Sequence, residues 1–341
     1  MKRFLSGMTP GSTTLATTAA ALLLAMSVSS SALAATTLRF AHPTPESDLQ
    51  HKLAEKFKEE VEAQSNGDLK VQIFPNGQLG NDAQMIDGAR SGIIDITLSG
   101  LNNFTGMVPQ AGAFELPFMF ADSAAAYKAL DGAPGDEVMS KLPALGLKGL
   151  AFPENGFREI TNNRGPIREP KDLEGLRMRV NNSITLNNMF ELLGANPQQL
   201  PVAELYTALE TGVVDAQDHP LGIVVSFNFN EVQKYLSITN HAYSALLMVM
   251  NQKRFDSLTP EQQQIVEKAA ADATAMQREM NTEQTESMIT TLEDEGMKVN
   301  RDVDTAAFQK AIQPVWKTFI DNNGDEMIKA IQAATEGSGQ S

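Results

Sequence analysis

Hydrophobic residues after position 35 alternate between two spacings along the chain. A helix spacing of about four residues is carried by Leu49, Leu53, Phe57 and Val61. A strand spacing of two residues follows, carried by Leu69, Val71 and Ile73. Short apolar stretches at 38–41 and 93–98, with a helix opening near Gly80, complete a β-α-β-α-β order. This order predicts a sheet with helices on its faces, which is an α/β fold.

The later part of the chain predicts one buried strand and one long helix. Residues 245–250 are apolar without alternation, as expected for a central strand buried on both faces. Thr259 and Gln262 form a capping box, Pro260 takes the first helical position, and Gly296 ends the run. A helix of roughly 35 residues would be about 50 Å long, so we expect it to lie across two domains. Three polar residues that interrupt its heptads argue against a coiled coil: Gln277, Asn281 and Thr282.

Two domains are expected because the residues that follow the N-terminal segment, about 300 of them, exceed what one hydrophobic core usually holds. We assign residues 36–156 plus 245–285 to domain I and residues 157–244 plus 286–335 to domain II. Within them, residues 157–161 predict one short strand and residues 303–319 one closing helix. Residues 336–341 predict a disordered tail.

Residues 1–34 have the pattern of a cleavable secretory signal peptide. Lys2 and Arg3 form the charged start, residues 15–26 form a short apolar core, and residues 32–34 read Ala-Leu-Ala, a small-residue cleavage site. The apolar core is too short for a stable membrane span. We therefore expect an exported, soluble mature chain.

Charge and cysteine content exclude several classes of function. The formal net charge is −15, and it becomes −17 without Lys2 and Arg3 because residues 1–34 contain no acidic residue. A chain this acidic is a poor partner for nucleic acid or anionic membranes. The absence of cysteine excludes disulfides, thiolate zinc sites and a cysteine nucleophile. An anion-binding site in such a chain needs a local positive pocket.

The sequence offers no complete catalytic or metal motif. It lacks the nucleophile elbow, the zinc-protease helix motif, the phosphate loop and the dinucleotide loop. Its histidines lack the spacing of metal ligands: His42, His51, His219 and His241. Asp215, Asp218 and His219 could form a base with an orienting carboxylate, but no nucleophile accompanies them. We therefore predict no enzyme, no metal and no cofactor.

Arginines on two predicted strands are the candidates for holding an anion. Arginine can bind a planar carboxylate with two hydrogen bonds, and such a pair is strong when water is excluded. Arg177 and Arg179 lie two residues apart and therefore share one face of the strand. On that face, one of them could point into a cleft while the other meets solvent. Both could equally be surface cations, and the same two alternatives apply to Arg158.

Loops at the carboxyl ends of strands are where ligands bind in such sheets. This rule nominates residues 42–47 after the first strand and residues 99–104 after the third. The alternative for each polar residue in these loops is a turn or a local hydrogen bond.

Motifs distributed over nearly the whole mature chain resemble one family. The motifs are Gln-Leu-Gly at 78–80, Phe-Glu-Leu-Pro-Phe at 114–118, Gly-Phe-Arg at 156–158, Leu-Arg-Met-Arg-Val at 176–180, Gly-Ala-Asn-Pro at 194–197, Glu-Leu-Tyr-Thr-Ala-Leu at 204–209, the run at 211–220 ending Gln-Asp-His-Pro, and Asn-Glu-Val-Gln-Lys-Tyr at 230–235. In this order they resemble the periplasmic substrate-binding proteins of tripartite ATP-independent periplasmic (TRAP) transporters.

The resemblance implies a fold and a function. The fold would be two α/β domains joined by hinge strands, with a long helix across both, closing on the ligand like a flytrap. The protein would capture a small organic acid in the periplasm of a Gram-negative bacterium and deliver it to the membrane subunits of a secondary transporter. It would be a monomer. A periplasmic sensor module with the same ligand chemistry is the alternative.

The resemblance also implies roles for individual residues. The carboxylate-binding arginine of the family falls on Arg179, and a second, less general ligand-facing arginine falls on Arg158. The family usually has Gln-Glu-Asn-Pro where this chain has Gln-Asp-His-Pro at 217–220, so His219 replaces an asparagine that donates to the ligand carboxylate. A histidine could still donate, and its protonation would make affinity pH-dependent. Asn182 is a ligand contact in some members.

The residues expected around the arginines favour a hydroxylated ligand. Ectoine binders place aromatic rings where this chain has Val202 and Ile223, and sialic acid binders place an arginine where it has Asn103. The remaining polar candidates are His42, Glu46, Asp82, Asn103, Asn182 and His219. A C4-dicarboxylate would leave such groups unpaired, at roughly 1–3 kcal/mol each. We therefore predict a sugar acid, with a uronate such as glucuronate or galacturonate first and an aldonate or aldarate next.

Overall fold

The computed structural model describes residues 35–336. The predicted signal peptide, residues 1–34, lies outside the described residues, and so does the predicted tail from residue 337 onward. The strands are β1 (Thr36–Ala41), β2 (Leu69–Phe74), β3 (Ile96–Gly100), β4 (Leu147–Ala151), β5 (Glu154–Phe157), β6 (Glu159–Asn162), β7 (Arg177–Val180), β8 (Asn196–Gln199), β9 (Ala216–His219), β10 (Tyr235–Ser237), β11 (Tyr243–Asn251) and β12 (Lys298–Asn300).

Helices connect these strands and cover the sheets. They are α1 (Leu49–Gln64), α2 (Asp82–Ser91), α3 (Ser123–Leu130), α4 (Ala133–Lys141), α5 (Ile184–Leu192), α6 (Val202–Glu210), α7 (Leu221–Ser226), α8 (Gln252–Asp256), α9 (Pro260–Asp294), α10 (Thr305–Ala311), α11 (Gln313–Asn323) and α12 (Glu326–Thr335). Short 3-10 segments include Leu101–Phe104 and Pro109–Glu115. The order of strands and helices confirms the predicted α/β class.

The first sheet has the strand order β2-β1-β3-β11-β4, with β5 also paired to β11. β1 is parallel to β2 and β3, whereas β11 is antiparallel to β3, β4 and β5. Every residue of β11 is buried, which confirms the predicted central strand. Its side chains alternate between two cores: Leu246, Met248 and Met250 pack with α1 and α9, and Leu247 and Val249 pack with α2, α3 and α4.

The second sheet has the strand order β12-β10-β6-β9-β7-β8. β7 is parallel to both β8 and β9, and β6 is antiparallel to β9 and β10. One face packs on α5, α10 and α11, and the other packs on α6, α7 and the end of α9. Two sheets with separate cores give the two-part architecture expected of a flytrap fold, while the residue boundaries assigned to domains I and II stay a prediction.

The chain crosses from the first sheet to the second at Arg158 and returns between β10 and β11. The backbone N–H of Arg158 donates to the carbonyl of Ala242 at 2.9 Å, so the two crossing segments lie side by side. The single strand expected at 157–161 is therefore two strands, β5 and β6, separated by Arg158. The expected helix at 303–319 is likewise two helices, because Pro314 lies in the first turn of α11 and the chain restarts its helix after Ile312.

Helix α9 has the predicted start, capping box and length, and it packs on both sheets. Its first half contributes Val266 and Ala273 to the core of the first sheet, and its last turns contribute Ile289 and Leu292 to the core of the second. The predicted helix across both domains is thus confirmed.

Polar residues in the middle of α9 bind the crossing strand. The Gln277 amide accepts from the N–H of Glu154 at 3.1 Å and donates to its carbonyl at 2.6 Å. Asn281 donates to the Glu154 carboxylate at 2.9 Å. These polar residues, which argued against a coiled coil, therefore fasten α9 to β5, next to the crossing at Arg158.

Candidate ligand-binding site

A cavity of about 300 Å³ lies where the ends of strands from both sheets meet. The first sheet contributes Gly100 at the end of β3, and the second contributes Arg179 on β7 and His219 at the end of β9. Arg158 enters from the crossing between β5 and β6, and Asp82 from the start of α2. The cavity therefore gathers residues that are far apart in sequence, including two arginines.

The two arginines of β7 have different surroundings. Arg177 is exposed and forms an ion pair with Asp215, with its Nη2 at 2.5 Å from Oδ1. Arg179 is only 2% exposed, and its Nε and Nη2 donate to the carbonyl of Leu200 at 2.9 and 2.6 Å. The sequence left open which arginine faces a cleft. In the structure Arg179 lines the cavity, and Arg177 is a surface cation.

Arg179 has no carboxylate within 4 Å among the described residues. Burial and the positive charge of Arg158 lower the pKa of its guanidinium to about 10, although Asp218 and Asp82 oppose the shift. The side chain nevertheless stays a cation at neutral pH. A buried cation without a counter-charge attracts an anion into the cavity.

His219 accepts a hydrogen bond from Arg179. The Gln217 amide donates through Nε2 to Thr161 at 2.8 Å, so its Oε1 is the acceptor that faces His219 Nδ1 at 2.5 Å. The proton of the ring is therefore on Nδ1, and Nε2 accepts from Arg179 Nη1 at 3.0 Å. Burial, with the charges of Arg179 and Arg158, holds the pKa of His219 well below its usual value. The expectation that this histidine donates to the ligand or carries a charge does not fit this geometry: it orients Arg179 as a neutral ring.

Arg158 is as deeply buried as Arg179, but it is neutralised within the protein. Its Nε donates to Asp218 Oδ2 at 2.6 Å, its Nη2 donates to the Asp218 carbonyl, and its Nη1 lies 3.4 Å from Ser244 Oγ. His241 Nε2 is 3.2 Å from the same Asp218 oxygen. Although burial acts in the other direction, Arg158 and His241 hold the pKa of Asp218 below its usual range. Arg158 can therefore offer hydrogen bonds to a ligand without adding net charge.

Three further predicted residues line the cavity, namely Asp82, Asn103 and Asn182. Two others do not. Glu46 is exposed in the loop after β1. His42 is buried and its Nε2 faces His51 Nδ1 at 3.0 Å, so burial and the neighbouring ring lower its pKa to about 3. The loop after β1 does reach the cavity, as the strand-end rule predicts, because Pro43 and Thr44 line it. The side chains of His42 and Glu46 are not part of that lining.

Several polar lining residues were not expected from the sequence: Gln50, Asn155, Asn181, Gln199 and Ser244. Asn155 links two of them, because it accepts from Gln50 at 3.4 Å and donates to Ser244 at 3.3 Å. Asn181 and Gln199 lie at the carboxyl ends of β7 and β8, so the strand-end rule could have found them. Gln50, Asn155 and Ser244 carry no such signal, because they reach the cavity from a helix and from the two crossing segments.

The described residues contain neither a metal cluster nor a membrane-spanning helix. Between residues 35 and 336, no group of three or more acidic or histidine side chains is arranged to hold a metal ion. No helix within that range has both the length and the apolar character needed to cross a bilayer.

A cleft between two β-sheets that are covered by helices, with a buried arginine that has no ion-pair partner among the described residues, is the arrangement of a binding protein for a small organic acid. Comparison with known proteins shows the family to which the chain belongs. The family described as bacterial extracellular solute-binding protein, family 7, matches residues 40–323. The chain belongs to this family, and it is a substrate-binding protein of the TRAP type; proteins of this family bind substrates for transport and are not enzymes. The resemblance inferred from the motifs is confirmed.

Individual relatives support this assignment. The chain is 44% identical over 306 residues to the 2,3-diketo-L-gulonate-binding periplasmic protein YiaO of Escherichia coli, covering 89% of this chain and 93% of that protein. A sugar acid binding protein of Advenella mimigardefordensis, solved with galactonate, is 34% identical with a TM-score of 0.85, covering 88% and 98% of the two chains. A TRAP solute-binding protein of a Sulfitobacter species, solved with β-D-galacturonate, is 32% identical with a TM-score of 0.84, covering 88% and 99%.

Proposed function

We propose that this protein captures a hydroxylated organic acid of sugar-acid size in the periplasm and delivers it to the membrane subunits of a TRAP transporter. The observation that carries the proposal is Arg179, a buried cation that lines the cavity and has no carboxylate within 4 Å among the described residues. The family assignment supports binding of a carboxylate in general. The choice of a sugar acid rests on the cavity lining and on the relatives.

Arg179 has hydrogen-bond donors left for a carboxylate. A guanidinium carries five N–H groups, of which two donate to Leu200 and one to His219. One N–H therefore remains on each terminal nitrogen, and two parallel bonds to one carboxylate are the geometry that arginine favours. Leu200 and His219 fix the plane of the guanidinium before the ligand arrives, which reduces the entropy lost on binding.

The rest of the lining suits hydroxyl groups. The neutral donors and acceptors are Gln50, Asn103, Asn155, Asn182, Gln199 and Ser244. Each such group that closure buries without a partner would cost roughly 1–3 kcal/mol, so an acid with several hydroxyls is favoured over a bare dicarboxylate. Relatives bind both kinds of sugar acid that we consider, namely the open-chain acids 2,3-diketo-L-gulonate and galactonate and the uronate galacturonate. A uronate remains the first candidate and an aldonate the second.

A thermal-shift panel tests the ligand class. The compounds are galacturonate, glucuronate, galactonate, galactarate, succinate and ectoine, each at the same concentration and ionic strength. We expect one of the sugar acids to raise the melting temperature most, because a ligand that binds only the folded state stabilises it. Succinate or ectoine as the best ligand would contradict the proposal.

Export and delivery are tested separately. The predicted signal peptide gives a mature chain beginning at Ala35, which N-terminal sequencing of the periplasmic protein checks. Delivery predicts that uptake of the best acid requires both this protein and its membrane subunits. A cell that lacks the membrane subunits but still responds to the acid would favour the sensor role instead. The predicted monomer is checked by light scattering after gel filtration.

A further inference from the structure

Asp82 is the one acidic side chain among the described residues that line the cavity. Arg158 and Arg179 are the cations of the same lining, and Arg158 is paired with Asp218. The cavity therefore presents one uncompensated positive charge, on Arg179, and one negative charge, on Asp82. A ligand that carries a single carboxylate can pair with the first and leave the second undisturbed.

Asp82 is held in place by the local chain. It is the first residue of α2, and the preceding Asn81 caps the helix in a reciprocal pair with Gln84: Asn81 accepts from the Gln84 N–H at 3.1 Å and its own N–H donates to the Gln84 side chain at 2.9 Å. Gly80 has φ +115°, and a Cβ there would lie 2.7 Å from the Gln84 Cβ. The loop therefore delivers α2 to the cavity in one conformation. The partial positive charge at the helix start stabilises a carboxylate at this position.

Asp82 and Arg179 face the same cavity without forming an ion pair. Their charged atoms are more than 4 Å apart, since no salt bridge joins them among residues 35–336. Burial raises the pKa of Asp82, and the positive charge of Arg179 opposes that shift. The Asp82 side chain is partly buried and lines the cavity. The space between the two side chains is thus where a ligand can lie, with its carboxylate at Arg179 and other groups near Asp82.

We propose that Asp82 restricts this site to acids with one carboxylate, because it accepts hydrogen bonds from ligand hydroxyls and repels a second carboxylate. An ionised carboxylate can only accept hydrogen bonds, so it pairs with a hydroxyl but not with another carboxylate. Placing two like charges in one cavity is strongly unfavourable. This inference rests on the proposed function, and it goes further by excluding aldarates and C4-dicarboxylates as ligands.

Matched ligand pairs give the test. Galactonate and galactarate share one carbon chain and differ in a terminal CH₂OH against a second carboxylate, and gluconate and glucarate form a second pair of the same kind. Calorimetric titration of the wild-type protein should show a preference of about 100-fold or more for the monocarboxylate of the pair that binds. In Asp82→Asn, which has the same shape without the charge, this preference should fall below about tenfold through a gain of affinity for the dicarboxylate.

Two further variants make the outcome decisive. Glu46→Gln removes one negative charge outside the cavity lining and should keep the wild-type preference. Asp82→Ser also removes the charge and is suited to a helix start. It should show the same loss of preference for the monocarboxylate, and it replaces Asp82→Asn as the test if that variant does not fold. Equal binding of both acids by the wild-type protein, or an unchanged preference in both Asp82 variants, would overturn the role of Asp82 while leaving the sugar-acid function intact. Failure of every sugar acid to bind would overturn the function and this inference together.

Discussion

Arg158 and Arg179 line one cavity and are equally buried, yet their electrostatic surroundings are opposite. Arg158 has its counter-charge inside the protein, on Asp218, which also contacts His241. Among residues 35–336, the side-chain hydrogen bonds of Arg179 go to the carbonyl of Leu200 and to the neutral ring of His219. The same residue type therefore serves two purposes. Arg158 completes an internal network at the crossing between the sheets, and Arg179 depends on the ligand for its counter-charge.

This difference separates stability from affinity. A buried ion pair is costly to break because one charge is then left uncompensated. An unpaired buried cation is itself unfavourable in the unliganded fold, and its removal breaks no internal ion pair, whereas an anion that binds beside it and excludes water is held strongly. Changes around Arg158 should therefore appear in unfolding experiments, and changes at Arg179 in binding experiments.

The largest effect is expected from Arg179→Ala. Removal of the unpaired cation should weaken binding of the best acid by at least about 100-fold, equivalent to about 3 kcal/mol, measured by calorimetric titration. The same variant should lose the thermal stabilisation by the acid. Arg177→Ala is the matched control, since it removes the exposed cation of the same strand, and it should bind normally. Stabilisation by the acid that persists in Arg179→Ala would remove Arg179 from the carboxylate role.

The second effect concerns stability at the other arginine. Asp218→Asn leaves the buried charge of Arg158 uncompensated, so the free energy of unfolding should fall by about 3 kcal/mol, measured by urea denaturation without ligand. The control is Asp215→Asn, which breaks the exposed pair with Arg177 and should cost less than about 1 kcal/mol. An equal loss of unfolding free energy in the two variants would contradict the prediction that the buried ion pair contributes more to stability than the exposed one.

A smaller effect is expected from the histidine that orients Arg179. His219→Leu removes the acceptor for Arg179 Nη1 and should weaken acid binding by about tenfold, or about 1.4 kcal/mol. His219→Asn can supply an amide oxygen in its place and should bind within a few-fold of wild type. An equal loss in both variants would argue against the acceptor role.

The pH dependence of binding checks the charge of the same ring. The pKa of His219 is lowered, so the neutral form persists as pH falls through the usual histidine range and protonates only below it. We expect the wild-type dissociation constant to stay within about twofold between pH 6 and 8. Binding that tightens markedly toward pH 6, and loses this trend in His219→Asn, would instead show a protonated histidine that assists the carboxylate.

The smallest effects distinguish lining residues from their neighbours. Asn182→Ala removes a polar group at the mouth of the cavity and should weaken binding by about 0.5–1.5 kcal/mol. Glu46→Ala alters an exposed residue that does not line the cavity and should change affinity less than twofold. A large loss in Glu46→Ala would indicate that the loop after β1 moves onto the ligand when the two sheets close.

Local signals predicted the fold well. The start of α9 follows from the capping box of Thr259 and Gln262, which is a contact within one turn. The burial of β11 follows from a run of apolar residues that no exposed strand would carry. The break at Arg158 was not predictable, because residues 157–161 have the pattern of one short strand and only the crossing between two sheets divides them.

The candidate site was less predictable from pattern alone. Arg177 and Arg179 lie on the same face of one strand, so alternation could not distinguish them, and the resemblance to the family selected Arg179. What separates them physically is the neighbouring chain, where Leu200 provides the buried carbonyl. His42 was expected at the ligand because its loop follows β1, but its ring turns toward His51 instead, a contact that depends on the position of α1.

Gln277 attaches α9 to Glu154 of β5 at the middle of the helix. It lies 17 residues from Pro260 and 17 from Asp294, so the attachment divides the helix into two equal halves of about 25 Å each. A rotation of ~10° about this point would sweep each tip through ~4 Å, because displacement grows with arm length. A closure of the two sheets that rotated α9 about Gln277 would therefore move both ends of the helix much farther than the residues near its middle.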